Sequence, residues 1–165
     1  MTIRICKALL VLMIGIFATL VGYNNIADYG SNFEFVRHVL SMDTTFPNNR
    51  LMDRAISTAA LHHAAYWLII AGELITGLLC LVGGLRLIRT SGAPDTFQRA
   101  KPFAAAGLTI GFGLWFIGFM TIGAEWFQMW QSEIWNGQQS AFRFITCIGI
   151  VLVVLLLPER EERGA

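Results

Sequence analysis

Residues 65–86 read AYWLIIAGELITGLLCLVGGLR, and their reading decides the fold. The run is apolar over about the length of a bilayer core, yet one carboxylate, Glu73, stands close to its middle. Tyr66, Glu73, Gly77, Cys80 and Gly84 recur at helical spacing, so on a helix they share one face. A hydrophobic helix with an acid and small residues on one side needs other helices to cover that side. The stretch therefore predicts a spanning helix over about 59–88, held inside a bundle.

The composition of the 165-residue chain points the same way. Hydrophobic residues make up 55% and charged residues 14%, against roughly 45–50% and about 25% in soluble domains. A soluble domain of this length lacks the interior to hide so much apolar surface, so lipid is the expected solvent. The formal net charge of +1, with no basic stripe to displace counterions, excludes nucleic acid as a partner. Cys6, Cys80 and Cys147 all fall in apolar runs without a CxxC or a Cys/His cluster. Neither a disulfide framework nor a zinc site is indicated, and the three read as small hydrophobes.

Upstream, Arg4 and Lys7 precede an uncharged run from Ala8 to Ile26. That run exceeds the apolar core of a secretory signal and lacks an A-x-A site, so it predicts a retained helix over 8–26. Gly15 and Gly22, with Ala8 and Thr19, form a small-residue seam along it. Residues 27–58 form the main polar excursion. Within it Phe33, Val36 and Leu40 oppose Glu34, Arg37, His38 and Ser41, the pattern of an amphipathic helix at a membrane surface.

Downstream, residues 89–101 carry a Gly-Ala-Pro-Asp turn and read as a loop. A third apolar run predicts a helix over 103–124, with Gly107, Gly111 and Gly118 aligned on one side. It leads into EWFQMWQSEIWNGQQ, residues 125–139, where Trp126, Trp130 and Trp135 sit as interfacial anchors do. A fourth run predicts a helix over 141–157, and the tail 158–165 is solvated. The expected fold is all-α: a polytopic membrane protein with four transmembrane helices and an amphipathic surface helix in the first outer loop.

Lysines and arginines near the helix ends set the orientation. Arg4, Lys7, Arg86, Arg89, Arg99, Lys101, Arg160 and Arg163 fall on one side; Arg37, Arg50, Arg54 and Arg143 fall on the other. The positive-inside rule then places both termini and the loop 89–101 in the cytoplasm, with 27–58 and 125–140 periplasmic.

Three segments taken together resemble a known family. NNIADYGSNFEFVRHVLSMDTTFP (24–47), LHHAAYWLIIAGE (61–73) and EWFQMWQSEIWNGQQSAFRF (125–144) are similar to an uncharacterised bacterial family of predicted small integral membrane proteins with four helices. The spacer before EWF reads TIGAEWF here. The resemblance covers nearly the whole chain and implies the four-helix architecture and a bacterial inner-membrane address. It implies no reaction, ligand or catalytic residue.

Several constellations carry possible chemistry. An ionised carboxylate at the bilayer centre costs roughly 2.5–3.5 kcal/mol on insertion scales, so Glu73 must be protonated, paired or beside water. It reads either as a proton or cation relay or a clasp to another subunit, or as a carboxyl bonded to Thr76, Thr109 or Thr19 that locks the bundle. Tyr66 and Gly77 share its face. Glu125 and Arg143 sit near the same ends of helices three and four, as an interfacial salt bridge or an anion-binding pair. His38, His62 and His63 are the weak metal candidates. Adjacent His62 and His63 diverge by about 100° on a helix and cannot grip one iron together. The tryptophan-rich segment reads as an interfacial belt or as a quinone or headgroup pocket. No P-loop, G-x-S-x-G, H-E-x-x-H or dinucleotide glycine pattern is present.

The expected function is therefore non-enzymatic: an accessory or assembly subunit of an inner-membrane complex, touching lipid and other membrane subunits or its own copies. A homo-oligomeric channel or transporter using Glu73 is the alternative. A redox subunit holding haem or quinone is the third reading.

Overall fold

The computed structural model describes residues 1–159. Its elements in chain order are α1 (Thr2–Ala27), α2 (Tyr29–Ser41), α3 (Ala59–Arg89), α4 (Pro94–Trp126) and α5 (Gln138–Leu156). Single 3-10 turns stand at Met52–Arg54 and Met129–Gln131, and no strand occurs among the described residues. α1, α3, α4 and α5 are each long and apolar enough to cross a membrane. At about 1.5 Å per residue, the 31 residues of α3 outreach a ~30 Å hydrocarbon core. The expected tail charges Arg160 and Arg163 lie outside the described residues.

α3 is the central rod, and glycine lets neighbours approach it on two sides. Facing α1, a Cβ placed on Gly15 would lie 2.9 Å from the backbone nitrogen of Leu81. On the same seam Gly77 lies against Thr19, and Gly22 against Leu74. Facing α4, a Cβ on Gly107 would meet Cys80 at 2.9 Å, and one on Gly111 would meet Thr76 Cγ2 at 2.7 Å. In lipid the association of helices rests on this close van der Waals contact, because tails outside are as apolar as side chains within. All five expected seam glycines are used inside one chain.

α4 departs from the expected helix three in two ways. It begins at Pro94, so 94–101 is helical and the loop expected at 89–101 shrinks to a turn around 90–93. Proline suits a first helical position, where its missing N–H has no partner to lose. Beyond Gly113 the helix widens to π geometry over Leu114–Trp126. Thr121 Oγ1 donates to the Phe116 carbonyl, and the Phe127 N–H to the Ile122 carbonyl, each five residues back. Widening shifts the phase, so Gly118 leaves the line of Gly107 and Gly111; a Cβ on it would meet nothing within 4 Å.

α1 also starts early, at Thr2 rather than residue 8, and its two basic residues are not solvated flanks. Arg4 Nε donates to the Ser91 carbonyl at 2.7 Å. Lys7 and Lys101 both donate to the Leu157 carbonyl and pair with Glu159, at 2.7 and 2.8 Å. All three cations are buried, so they lock the two chain ends and the α3–α4 turn together. Burial pushes the Glu159 carboxyl upward, but hydrogen bonds from Lys101 and Lys7 outweigh that and hold it below its ordinary value. Its stabilisation is thus present above the ordinary carboxylate range and fades as pH falls through the lowered value.

At the opposite end α2 lies across the bundle as a cap. Val36, Val39 and Leu40 are buried, while Glu34 and Arg37 face outward in a 2.7 Å ion pair. The Arg37 hydrogen bond holds the Glu34 carboxyl below its usual range. The loop after α2 is tied to the segment after α4. Thr44 Oγ1 donates to Ser132 Oγ at 2.9 Å, and the Phe46 N–H to Gln131 Oε1 at 3.0 Å.

A polar chamber beneath the cap

Glu73 falls near the midpoint of α3 and is 2% exposed. Its partner is none of the expected threonines. Asn25 on α1 donates from Nδ2 to Glu73 Oε2 at 2.8 Å, within the buried interior. Asn25 Oδ1 in turn accepts from Asn32 Nδ2 of α2 at 2.6 Å, and the Tyr66 hydroxyl donates to the Asn25 backbone carbonyl at 3.1 Å. Thr19 turns back to the Gly15 carbonyl, Thr109 is exposed, and the buried Thr76 hydroxyl has no partner among the described residues. The result is a relay of amides running from the exposed Asn32 through buried Asn25 to Glu73.

This relay forms one wall of a chamber of about 450 Å³ in the cap-side half of the bundle. Every spanning helix contributes to it, together with α2 and residues 134–137. Trp115 and Phe144 build the floor with Phe17: Trp115 meets Phe144 edge-on at 5.3 Å, and Phe17 lies 4.9 Å from Phe144. Among the described residues, Glu73 is the only acid lining the space, and no lysine, arginine or histidine lines it. Among the described residues Glu73 accepts one hydrogen bond, through Oε2, and no donor meets its Oε1.

Beside the chamber runs a second, apolar groove of about 260 Å³ between α3 and α4, roofed by α2. Phe35, Val36, Ile69 and Phe119 line both spaces. Phe35 and Phe119 stack at 6.0 Å where the two spaces adjoin. The π segment sets this wall, since it carries Trp115 and Phe119 toward α5 and α2.

The remaining sequence candidates lie elsewhere. Arg143 and Glu125 are both exposed and make no ion pair with each other among the described residues, which removes the expected bridge. Arg143 points away from the bundle because Ala141 and Ile145 on either side of it take the buried face. His62 bonds the Ile56 carbonyl at 2.7 Å, His63 bonds the Tyr29 hydroxyl at 2.8 Å, and His38 lies between Arg37 and Asp43. Each imidazole has its own protein partner and none lines the chamber. No group of three or more metal-binding side chains is present among the described residues.

The tryptophans divide. Trp126 and Trp130 are exposed at the cap, the first under the Arg54 guanidinium at 4.5 Å and the second edge-on to Phe46. They do not share one helical stripe, because α4 ends between them. Trp135 turns inward: it lines the chamber and stacks on His38 at 4.6 Å.

The sequence does not single out Asn25, Asn32, Trp115 or Phe144. Asn25 had a signal, since it continues Gly15, Ala18 and Gly22 at helical spacing along the buried face of α1. Trp115 and Phe119 had none, because π geometry leaves no simple periodicity.

Residues 3–158 match a family model described as predicted small integral membrane protein (DUF2165). No curated protein and no solved structure matches the chain.

Proposed function

The chain belongs to that family of predicted small integral membrane proteins, and we propose that it is a non-enzymatic binding protein whose working part is the chamber beneath the cap. The carrying observation is the Glu73–Asn25–Asn32 relay set in an aromatic wall that adjoins an apolar groove. A ligand with a polar head and an apolar body has a place for each part. The chain is then an accessory component of a bacterial inner membrane, presenting or sensing a membrane-soluble molecule.

The geometry favours this over a channel. Below Glu73 the α1–α3 and α3–α4 seams close on glycine, so the chamber is blind within one copy. Glu73 faces inward and would not line a pore formed between copies. The haem reading also loses support, since no two histidines converge on the chamber.

Chain extraction from its native membrane, followed by mass spectrometry, tests the binding role. A stoichiometric lipid-soluble compound should accompany the wild type and be lost from Ser140→Trp, which fills the chamber mouth. Identical small-molecule content in both proteins would overturn it.

The charge distribution supports a periplasmic cap. A cysteine at Gly92 should be shielded from an impermeant thiol reagent in intact cells, while one at Asn48 should label. The reverse pattern would invert the topology.

A further inference from the structure

We infer that the chamber's ligand is a lipophilic organic cation, an ammonium or phosphonium bearing no anionic group. This rests on the binding role proposed above and names its substrate class. Three observations carry it. First, Glu73 is almost wholly buried, lines the cavity, and has a carboxyl oxygen with no donor among the described residues. An ionised carboxylate at that depth requires a counter-charge, and no lysine, arginine or histidine among the described lining residues supplies one.

Second, the surrounding wall is aromatic. Trp115, Phe119, Trp135 and Phe144 line the same space as the carboxyl. Ring faces attract a weakly hydrated cation, and indole does so best, which is how aromatic cages hold quaternary ammonium groups. Third, the hydrogen-bonding side chains that line the space besides Glu73 are neutral amides, hydroxyls and indoles. The Tyr66 hydroxyl is spent on the Asn25 carbonyl, and Asn25 and Asn32 each commit an amide hydrogen within the relay. An anionic ligand finds no cationic side chain among the described lining residues to hold it. A zwitterionic phospholipid headgroup would bring a phosphate that no cationic side chain among the described lining residues neutralises.

The apolar groove behind Phe35 and Phe119 then takes the hydrophobic body. The exposed Asn32 end admits the charged head from water. Charge complementarity and shape thus agree on one occupant.

Equilibrium dialysis of tetraphenylphosphonium against the purified protein in uncharged maltoside micelles tests this. The expected result is saturable binding near one cation per chain. Glu73→Gln should weaken it at least tenfold, and Ser140→Trp should abolish it. Asp95→Asn, an exposed acid at the far end of the molecule, should leave it unchanged. Glu73→Asp keeps the charge and should retain part of the affinity, which separates charge from fold. Each variant is checked for an unchanged elution profile, and one that fails to fold is replaced by Trp135→Leu, expected to weaken binding severalfold. Binding that ignores both Glu73→Gln and Ser140→Trp overturns the assignment. So does displacement of the cation by phosphatidylethanolamine. Saturable binding of a short-tailed benzoquinone, lost in Ser140→Trp, without cation binding would sink the cation assignment and leave the binding role standing. Failure of both probes, with no co-extracted compound, would sink both.

Discussion

Replacing Gly83 by leucine is expected to leave little folded protein to purify. A Cβ at this position would sit 2.5 Å from the backbone nitrogen of Ala104 and 2.7 Å from its Cα. Backbone cannot rotate aside as a side chain can, so α3 and α4 would have to separate. Overpacking a core typically costs about 1–3 kcal/mol and occasionally more. Here the effect should exceed that range, because separation also opens the neighbouring contacts of Gly107 and Gly111 on the same seam. Gly111→Leu is the milder comparison, since its first obstacle is a threonine methyl group. Unfolding in mixed micelles of denaturing detergent reads the difference. A Gly83→Leu protein as resistant as Gly111→Leu would refute the seam described for α3 and α4.

The second large effect concerns Asn25. Asn25→Leu removes the amide that satisfies Glu73 Oε2 and leaves a buried carboxyl with no protein donor. A buried group stripped of its partner costs about 1–3 kcal/mol, more if charged, whereas a hydrogen bond between membrane helices contributes only about 0.6–2 kcal/mol net. Asn25→Leu should therefore be destabilising by about 2–3 kcal/mol. Adding Glu73→Leu to it should recover much of the loss, because no buried acid then remains to be satisfied. The double variant being less stable than Asn25→Leu alone would show that the two side chains do not depend on each other.

These two sites were unequally legible in the sequence. Gly77, Gly107 and Gly111 announce themselves because close helix approach needs small residues at helical intervals, a pattern visible in one dimension, whereas Gly83 falls beside that spacing. Glu73 was visible because lipid makes an acid conspicuous. Its partner was less so: Asn25 sits near the end of a nearly unbroken apolar run, and threonines one turn away looked nearer at hand. The amphipathic α2 was readable from Val36 and Leu40, yet nothing local said that Asn32 would reach back to α1. In the sequence Lys7 and Lys101 stand only as charges near helix ends, which are usually solvated. Their shared hold on Leu157 and Glu159 joins positions far apart in the chain, and local pattern carries no trace of such a pairing.

The wide coil of Leu114–Trp126 has one further consequence. An ordinary helix has no spare length, so losing a residue turns everything beyond it through a large angle. A coil wound with surplus residues holds slack, and a single deletion there can be absorbed by tightening one loop of the thread to the commoner pitch. Trimming of this segment would thus leave α3 undisturbed while re-aiming Phe119 and Trp115, which makes it the part of the molecule best placed to reshape the chamber.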